Sequence, residues 1–171
     1  MTRRTIIFDL ETTGLSPRQG HRVIEVGAVA LHGGEVVEEF HSLINAGYPI
    51  PWQAQQVHGI SDAMLIDAPQ PLEVFADFHN FIGSAPIVAH NAAFDISFLT
   101  AEFSRLGRVL SNSVHCTLKL GREKLPTLPN HRLETIFYHL GGRMPAGNQR
   151  HRALDDARIT AFVWRELNEI P

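Results

Sequence analysis

Asp9 and Glu11 stand one residue apart at the end of an apolar run, Thr5-Ile6-Ile7-Phe8, and the glycine turn Thr12-Thr13-Gly14 follows at once. Residues i and i+2 of a strand point to the same face, about 7 Å apart, so both carboxylates aim at one point. Like charges held that close in a half-buried place repel strongly. A hard divalent cation, which takes oxygen ligands, is the natural counter-charge.

Three more groups stand where chemistry can use them. Asp95 closes the run His90-Asn91-Ala92-Ala93-Phe94-Asp95, at the start of a helix that follows a strand. His151 and Asp156 belong to His151-Arg152-Ala153-Leu154-Asp155-Asp156-Ala157, just ahead of and inside the last helix. Asp155 competes with Asp156 for notice. On a helix, position 156 shares a face with Ala153, Thr160 and Val163, and Asp155 points about 100° away. The apolar face with Ala153 and Ala157 packs on the sheet, so Asp156 lies nearer to it. Singly, each group has an ordinary explanation, such as a solvated turn or a carboxylate stabilised by a helix N-terminus.

The elements that must position these groups are legible. Thr5–Leu10, Arg22–Leu31 and Glu35–Ile44 read as three antiparallel strands, the last two joined by a hairpin at His32-Gly33-Gly34. Residues 47–68 hold Pro49 and Pro51 and read as loop with short helices. Leu72, Phe75, Phe78, His79 and Ile82 have helical spacing behind Pro71. Ile87-Val88-Ala89 is a short buried strand. Ile96, Leu99, Phe103 and Leu106 mark an amphipathic helix ended by Gly107. Ser113–Cys116 is a fifth strand, Thr117–Lys124 and Leu133–Leu140 are short helices, and residues 141–150 form a glycine-containing loop expected to move. The last helix spans about Ala153–Asn168. Hairpin strands followed by alternating strands and helices predict an α/β fold, a mixed sheet flanked by helices, in a single domain over residues 1–171.

Four runs occur in order: Phe8-Asp9-Leu10-Glu11-Thr12-Thr13-Gly14-Leu15, Val57-His58-Gly59-Ile60, Ala89-His90-Asn91-Ala92-Ala93-Phe94-Asp95 and His151 to Ala157. Together they resemble the motifs of the DnaQ-like 3'→5' exonucleases, in the subgroup with a histidine before the last aspartate. The Thr-Thr-Gly form is similar to the polymerase III proofreading exonucleases more than to oligoribonuclease or RNase T. Asn130-His131-Arg132-Leu133 resembles the exonuclease domain of Gram-positive replicative polymerases.

The resemblance implies an RNase H-like sheet of five strands, antiparallel in its first three, and two divalent ions, Mg²⁺ or Mn²⁺. It implies that Asp9, Glu11 and Asp156 hold one ion, that Asp9 bridges to a second supported by Asp95 through water, and that His151 is the general base. Two ions about 3.5–4 Å apart suit an in-line displacement at phosphorus, and neutral imidazole suits proton removal from water near pH 7. By resemblance again, Thr12, Thr13, Gly14 and Leu15 cradle the terminal nucleotide, with Leu15 beside its base, and His58, Asn91 and Phe94 lie along the strand. Arg18, Arg22, Arg150 and Arg152 are candidate phosphate contacts, whose binding would depend on salt.

The expected reaction is hydrolysis of single-stranded DNA from its 3' end to nucleoside 5'-monophosphates, with a replicative DNA polymerase as a partner in proofreading. The alternatives are a stand-alone repair or RNA-trimming exonuclease, which the 2'-hydroxyl would distinguish, and an inactive nucleic-acid-binding adaptor. The complete acidic set with its histidine opposes the adaptor. Separate proofreading subunits usually continue into a polymerase-docking tail. Here Pro171 follows the last helix, so the expectation is either a catalytic domain or a protein working without that tail.

Composition agrees. The chain has 171 residues, 44% hydrophobic and 19% charged, with a net charge of -3. With four carboxylates committed to metal, the rest of the body is close to neutral. No apolar run reaches the roughly 20 residues of a membrane span. The single cysteine, Cys116, excludes an internal disulfide and suits a cytoplasmic setting. Cys116 reads as a small buried residue, Phe75, Phe78, Phe98 and Phe103 as core, and Lys119, Arg122 and Lys124 as a solvated face, with nucleic-acid contact as the alternative. Glu25, which interrupts an apolar strand, reads as one half of a structural pair.

Overall fold

The computed structural model describes residues 4–144 and 151–171. At its centre Thr5–Thr12 (β1) runs antiparallel to Val23–His32 (β2) and parallel to Ile87–Ala89 (β4). Glu35–Leu43 (β3) pairs antiparallel with β2, and Val114–Cys116 (β5) pairs parallel with β4. The sheet of five strands has the order β3-β2-β1-β4-β5, and the three antiparallel strands come first in the chain, as the sequence predicts. Gly33 and Gly34 make the β2–β3 turn with φ of 62° and 89°, backbone that glycine adopts without a steric cost.

The main departure in the sheet is the length of β1. It runs two residues past Leu10, because β2 continues to pair with it at Glu11↔Glu25 and, across a bulge, at Thr12↔Val23. Both carboxylates of the opening pair therefore sit on the strand itself.

Helices cover both faces. Trp52–His58 (α1) and Asp62–Leu65 (α2) are the short helices expected in the proline-bearing segment. Pro71–Ile82 (α3) starts at its proline behind a capping box, in which the Gln70 N–H donates to Glu73 Oε2 at 3.1 Å. Its buried face is Val74, Phe75, Phe78 and Ile82. Leu72 departs from the expected stripe and is 64% exposed, because it lies on the first turn beyond the edge of that face. Ala93–Arg105 (α4) opens three residues before Ile96 and ends near Gly107, whose φ is 65°.

These two helices close one face of the sheet. Ile6, Phe8, Leu10, Val26, Ala28 and Ala30 point into a core shared with Phe75, Phe78, Phe98 and Phe103. Phe8 and Phe78 pack with ring centroids 6.1 Å apart.

Thr117–Lys124 (α5), Leu133–His139 (α6) and Ala153–Glu169 (α7) lie on the other side. The α7 residues Ala153, Ala157, Thr160 and Leu167 are buried, and Ala161 joins Ile7, Val29, Leu31 and Val88 of the sheet. Cys116 is half-buried at the end of β5 and not enclosed, since β5 is an edge strand. Among the described residues no helix is long and apolar enough to cross a membrane. Arg150 and most of the loop expected to move lie outside the described residues.

Candidate active site

The strand register decides which side chains share a face. Asp9 lies opposite Gly27 and Glu11 opposite Glu25, so all four positions belong to the face that α7 covers. Gly27 is required there for space. A Cβ at that position would come within 2.1 Å of the backbone N of Leu154. Without a side chain, the first turn of α7 lies directly on the sheet, and Asp156, one turn along it, arrives beside the β1 pair. One oxygen each from Asp9, Glu11 and Asp156 lies within 4.8 Å of the others. Asp155 turns outward and accepts from Arg158 at 3.0 Å. The choice of Asp156 over Asp155, made from helical geometry, agrees with this arrangement.

The electrostatics describe a site that lacks a positive charge. Burial, followed by the charges of Asp95, Glu11 and Asp156, holds the Asp9 carboxyl well above the usual carboxylate range. Burial and then Asp156 push Glu11 up to about 9, with Arg152 opposing them. Asp95, buried near the N-terminus of α4, is pushed up to about 8 by desolvation, and backbone N–H donors partly offset that. Asp95 stands outside the close group of three, yet it is the largest charge acting on Asp9. Self-repelling acids with hard oxygen donors fit one or more divalent cations, which would return them to their charged form.

Glu25 is the exception among the acids on this face. It is fully buried. Arg152 donates to Glu25 Oε1 at 2.8 Å, the Ala153 N–H donates to Oε2 at 3.1 Å, and His41 Nε2 lies 2.7 Å from Oε1. Burial alone would raise its pKa, but these partners hold the carboxyl down at about 2. The structural pairing expected for Glu25 is therefore present, and its site is informative. It ties the start of α7 to β2, between His151 and Asp156.

Two cavities border the carboxylates, one at Glu11 and the other at Asp9 and Asp156. The first, about 540 Å³, is lined by Glu11, Thr12, Thr13, Gly14, Leu15, His58 and Phe94, with other residues of α1. Its floor is a pinned turn: Thr12 Oγ1 donates to the Gly14 carbonyl at 2.7 Å, and Thr13 exchanges hydrogen bonds with the Arg22 backbone. Leu15 protrudes at the rim, 83% exposed. His58 is buried, its Nδ1 accepts the Ile60 N–H at 3.0 Å, and its Nε2 has no hydrogen-bond partner among the described residues. Burial lowers its pKa, so it stands neutral.

The second cavity, about 470 Å³, is lined by Asp9, Asp156, His151, His90 and Asn91, and also by Arg122 and Arg132. Asn91 and His151 have φ of 59° and 57° and are the non-glycine residues with left-handed backbone among those described. Such conformations cluster at functional sites. His90, which pairs with Thr117 Oγ1 at 2.9 Å, is pushed down to about 4 by burial.

Of the site residues expected from sequence, Thr12, Thr13, Gly14, Leu15, His58 and Phe94 share the first cavity, while Asn91 falls in the second with His151. The candidate phosphate contacts are corrected. Arg22 is held by Glu102 through two hydrogen bonds of 2.7 and 2.9 Å, and Arg152 is held by Glu25, so neither guanidinium is available for phosphate. Arg18 is exposed on the turn after Ser16. Arg122, exposed as expected of a solvated face, and Arg132, not singled out, both border the second cavity. For Arg132 the sequence signal is the position of Asn130-His131-Arg132-Leu133 at the start of a helix.

Known proteins agree with this geometry. The family model described as Exonuclease matches residues 6–163. The chain is 41% identical over 167 residues to a PolC-type DNA polymerase III of Oceanobacillus iheyensis, covering 96% of this chain and 11% of that protein. It thus spans about a tenth of the length of the PolC-type relatives. It is 39% identical over 171 residues to the DNA polymerase III subunit epsilon of Rickettsia felis, covering 73% of that protein. Among solved structures, exonuclease X in complex with 5' overhanging duplex DNA superposes with a TM-score of 0.80 at 28% identity, over 96% of this chain and 91% of that one. E. coli exonuclease I in a single-stranded DNA complex shares the fold, with a TM-score of 0.83 at 19% identity, over 99% of this chain and 41% of that one. With the RNase H-like sheet, the ordered motifs and the matched model in agreement, the chain belongs to the exonuclease family.

Proposed function

We propose that this protein is a 3'→5' exonuclease that removes nucleoside 5'-monophosphates from single-stranded DNA ends. The observation that carries this reading is the convergence of Asp9, Glu11 and Asp156 from β1 and α7, with oxygens within 4.8 Å, bordered by two cavities. In this reading Asp9, Glu11 and Asp156 hold a divalent ion, and Asp9 with Asp95 serves a second one. Bound Mg²⁺ or Mn²⁺ would supply charge stabilisation for the phosphoryl group and favour ionisation of the attacking water.

The chain's own residues do the rest. The pinned turn Thr12–Leu15 and Phe94 enclose the terminal nucleoside, and apolar walls on both sides suit a base of any identity. His58 offers its unpartnered Nε2–H to the sugar. His151, open to water beside Asp9 and Asp156, accepts the proton of the attacking water. The bond from phosphorus to the 3' oxygen of the preceding nucleotide breaks, and that oxygen takes a proton from solvent. The Glu25–Arg152 pair fixes the backbone between His151 and Asp156, so the base and the acid keep their spacing.

Similarity to polymerase III chains supports work beside a replicative polymerase, in which mismatched 3' ends are trimmed. The deciding measurement is hydrolysis of single-stranded DNA, mismatched duplex ends and RNA, each with Mg²⁺, Mn²⁺ or EDTA. The expected order places single-stranded DNA first, with no product in EDTA. Metal-independent cleavage, or full activity in Asp9→Ala, would refute the reading. Faster cleavage of RNA would shift it to RNA trimming.

A further inference from the structure

Arg122, in the last turn of α5, and Arg132, directly before α6, line the second cavity together with Asp9, His151 and Asp156. Both are exposed. Arg22, Arg152 and Arg158 each hold a carboxylate, whereas neither Arg122 nor Arg132 has an ion pair among the described residues. Glu134 lines the same cavity and offsets one of the two charges. The two arginines thus leave a net positive charge beside a cluster of acids. Unpaired guanidiniums turned into an open cavity are donors in search of an anion, and their planar fork fits phosphate oxygens.

We infer that the second cavity is the path of the strand on the 5' side of the bond to be cut, with Arg122 and Arg132 binding its backbone phosphates. The inference rests on the exonuclease reading of the site. The first cavity has the size and the apolar lining of a nucleoside site and is bordered by Glu11; the second is bordered by Asp9 and Asp156. A strand with its last nucleoside in the first cavity and its last phosphate at the carboxylates continues through the second. A polyanion drawn toward an acidic cluster needs compensating positive charge along its approach. Arg22 and Arg152 are committed elsewhere, and among the described residues lining this cavity the arginines are Arg122 and Arg132.

The test compares two substrates on the wild type, the Arg122→Ala/Arg132→Ala double variant and the corresponding double lysine variant. One substrate is an oligothymidylate of about fifteen nucleotides. The other is the p-nitrophenyl ester of thymidine 5'-monophosphate, which fills the terminal site and has no strand on its leaving side. The alanine pair should raise KM for the oligonucleotide about tenfold while leaving kcat near its wild-type value, and should leave both constants for the ester unchanged. Oligonucleotide binding measured by fluorescence anisotropy in EDTA should lose about 0.7 from the salt slope for each phosphate contact removed, about 1.4 in all. The lysine pair should keep the slope and recover most of the KM. An unchanged oligonucleotide KM with an unchanged slope would overturn the inference. So would an equal loss on the ester, since the arginines would then act at the reacting phosphate. A wild type that cleaves neither substrate would instead remove the exonuclease reading, and the salt slope would still decide whether the arginines meet a strand.

Discussion

The two faces of the central sheet are built from alternate residues of the same strands, and they do opposite work. On one face Ile6, Phe8, Leu10, Val26 and Ala28 meet α3 and α4 and are sealed from water. On the other, the positions between them include Asp9, Glu11, Glu25 and Gly27, beside a smaller apolar group around Ile7 and Val29, and α7 lies over them. The first face supplies apolar burial, the main favourable term in folding. The second holds charges whose mutual repulsion costs stability. A period of two in β1 and β2 thus separates the source of stability from the site of chemistry within one layer of backbone. Changes on the two faces should therefore have opposite signatures.

The sharpest contrast comes from neighbouring residues. Asp9→Ala should reduce hydrolysis by at least about 10³-fold, the scale seen when preorganised electrostatic stabilisation is removed. In the absence of divalent ions it should raise the melting midpoint by about 2–4 °C, the equivalent of about 1 kcal/mol in a domain of this size. Phe8→Ala, one position away on the sealed face, should lower stability by about 3–5 kcal/mol by leaving a cavity against Phe78. Its activity should persist wherever the protein stays folded. Urea melts combined with single-turnover rates would check both. If both variants lose stability to the same extent, the division between the faces fails.

Glu25→Ala lies between these extremes, since Glu25 is on the charged face but is itself paired. Its loss removes the buried carboxylate that Arg152 binds and the acceptor of the Ala153 N–H. We expect about 2–3 kcal/mol of destabilisation, together with a fall in kcat as the start of α7 loosens. Glu25→Gln, which keeps the shape and an acceptor for the Ala153 N–H, should restore part of both.

The smallest effect expected is a pH dependence, and its sign differs between the two kinds of acid. Glu11 and Asp95 are raised to about 9 and about 8. Between the ordinary carboxylate range and those values the folded state keeps protons that the unfolded state has lost, so stability without ions should fall as pH rises through that window. Glu25, held at about 2, acts in reverse. Its contribution is present above the ordinary carboxylate range and is lost as pH falls toward 2. Thermal melts across pH in EDTA should show a maximum near the ordinary carboxylate range. Added Mn²⁺ should raise the midpoint more at pH 8 than at pH 5. An equal rise at both would contradict the charge repulsion described for the site.

Local pattern was enough for much of this. The order of elements, the hairpin at Gly33-Gly34, the helices near Thr117–Lys124 and Ala153–Glu169, and the pairing of Asp9 with Glu11 on one face all follow from periods of two and 3.6 and from turn residues. Helical angle alone separated Asp156 from Asp155. Those properties are set by the chain's own covalent geometry over a few residues.

Tertiary structure decided which charges are spent and which remain free. Glu25 meets Arg152 across 127 residues and Arg22 meets Glu102 across 80. No local period carries such a pairing, because it exists only once α7 has settled on Gly27 and α4 has packed against the other face. The same packing leaves Arg122 and Arg132 beside the second cavity with no ion pair among the described residues. The sequence by itself determined the carboxylates and the face they share. Which arginines are spent on carboxylates depended on long-range packing, since a cation is free or occupied according to what folds beside it.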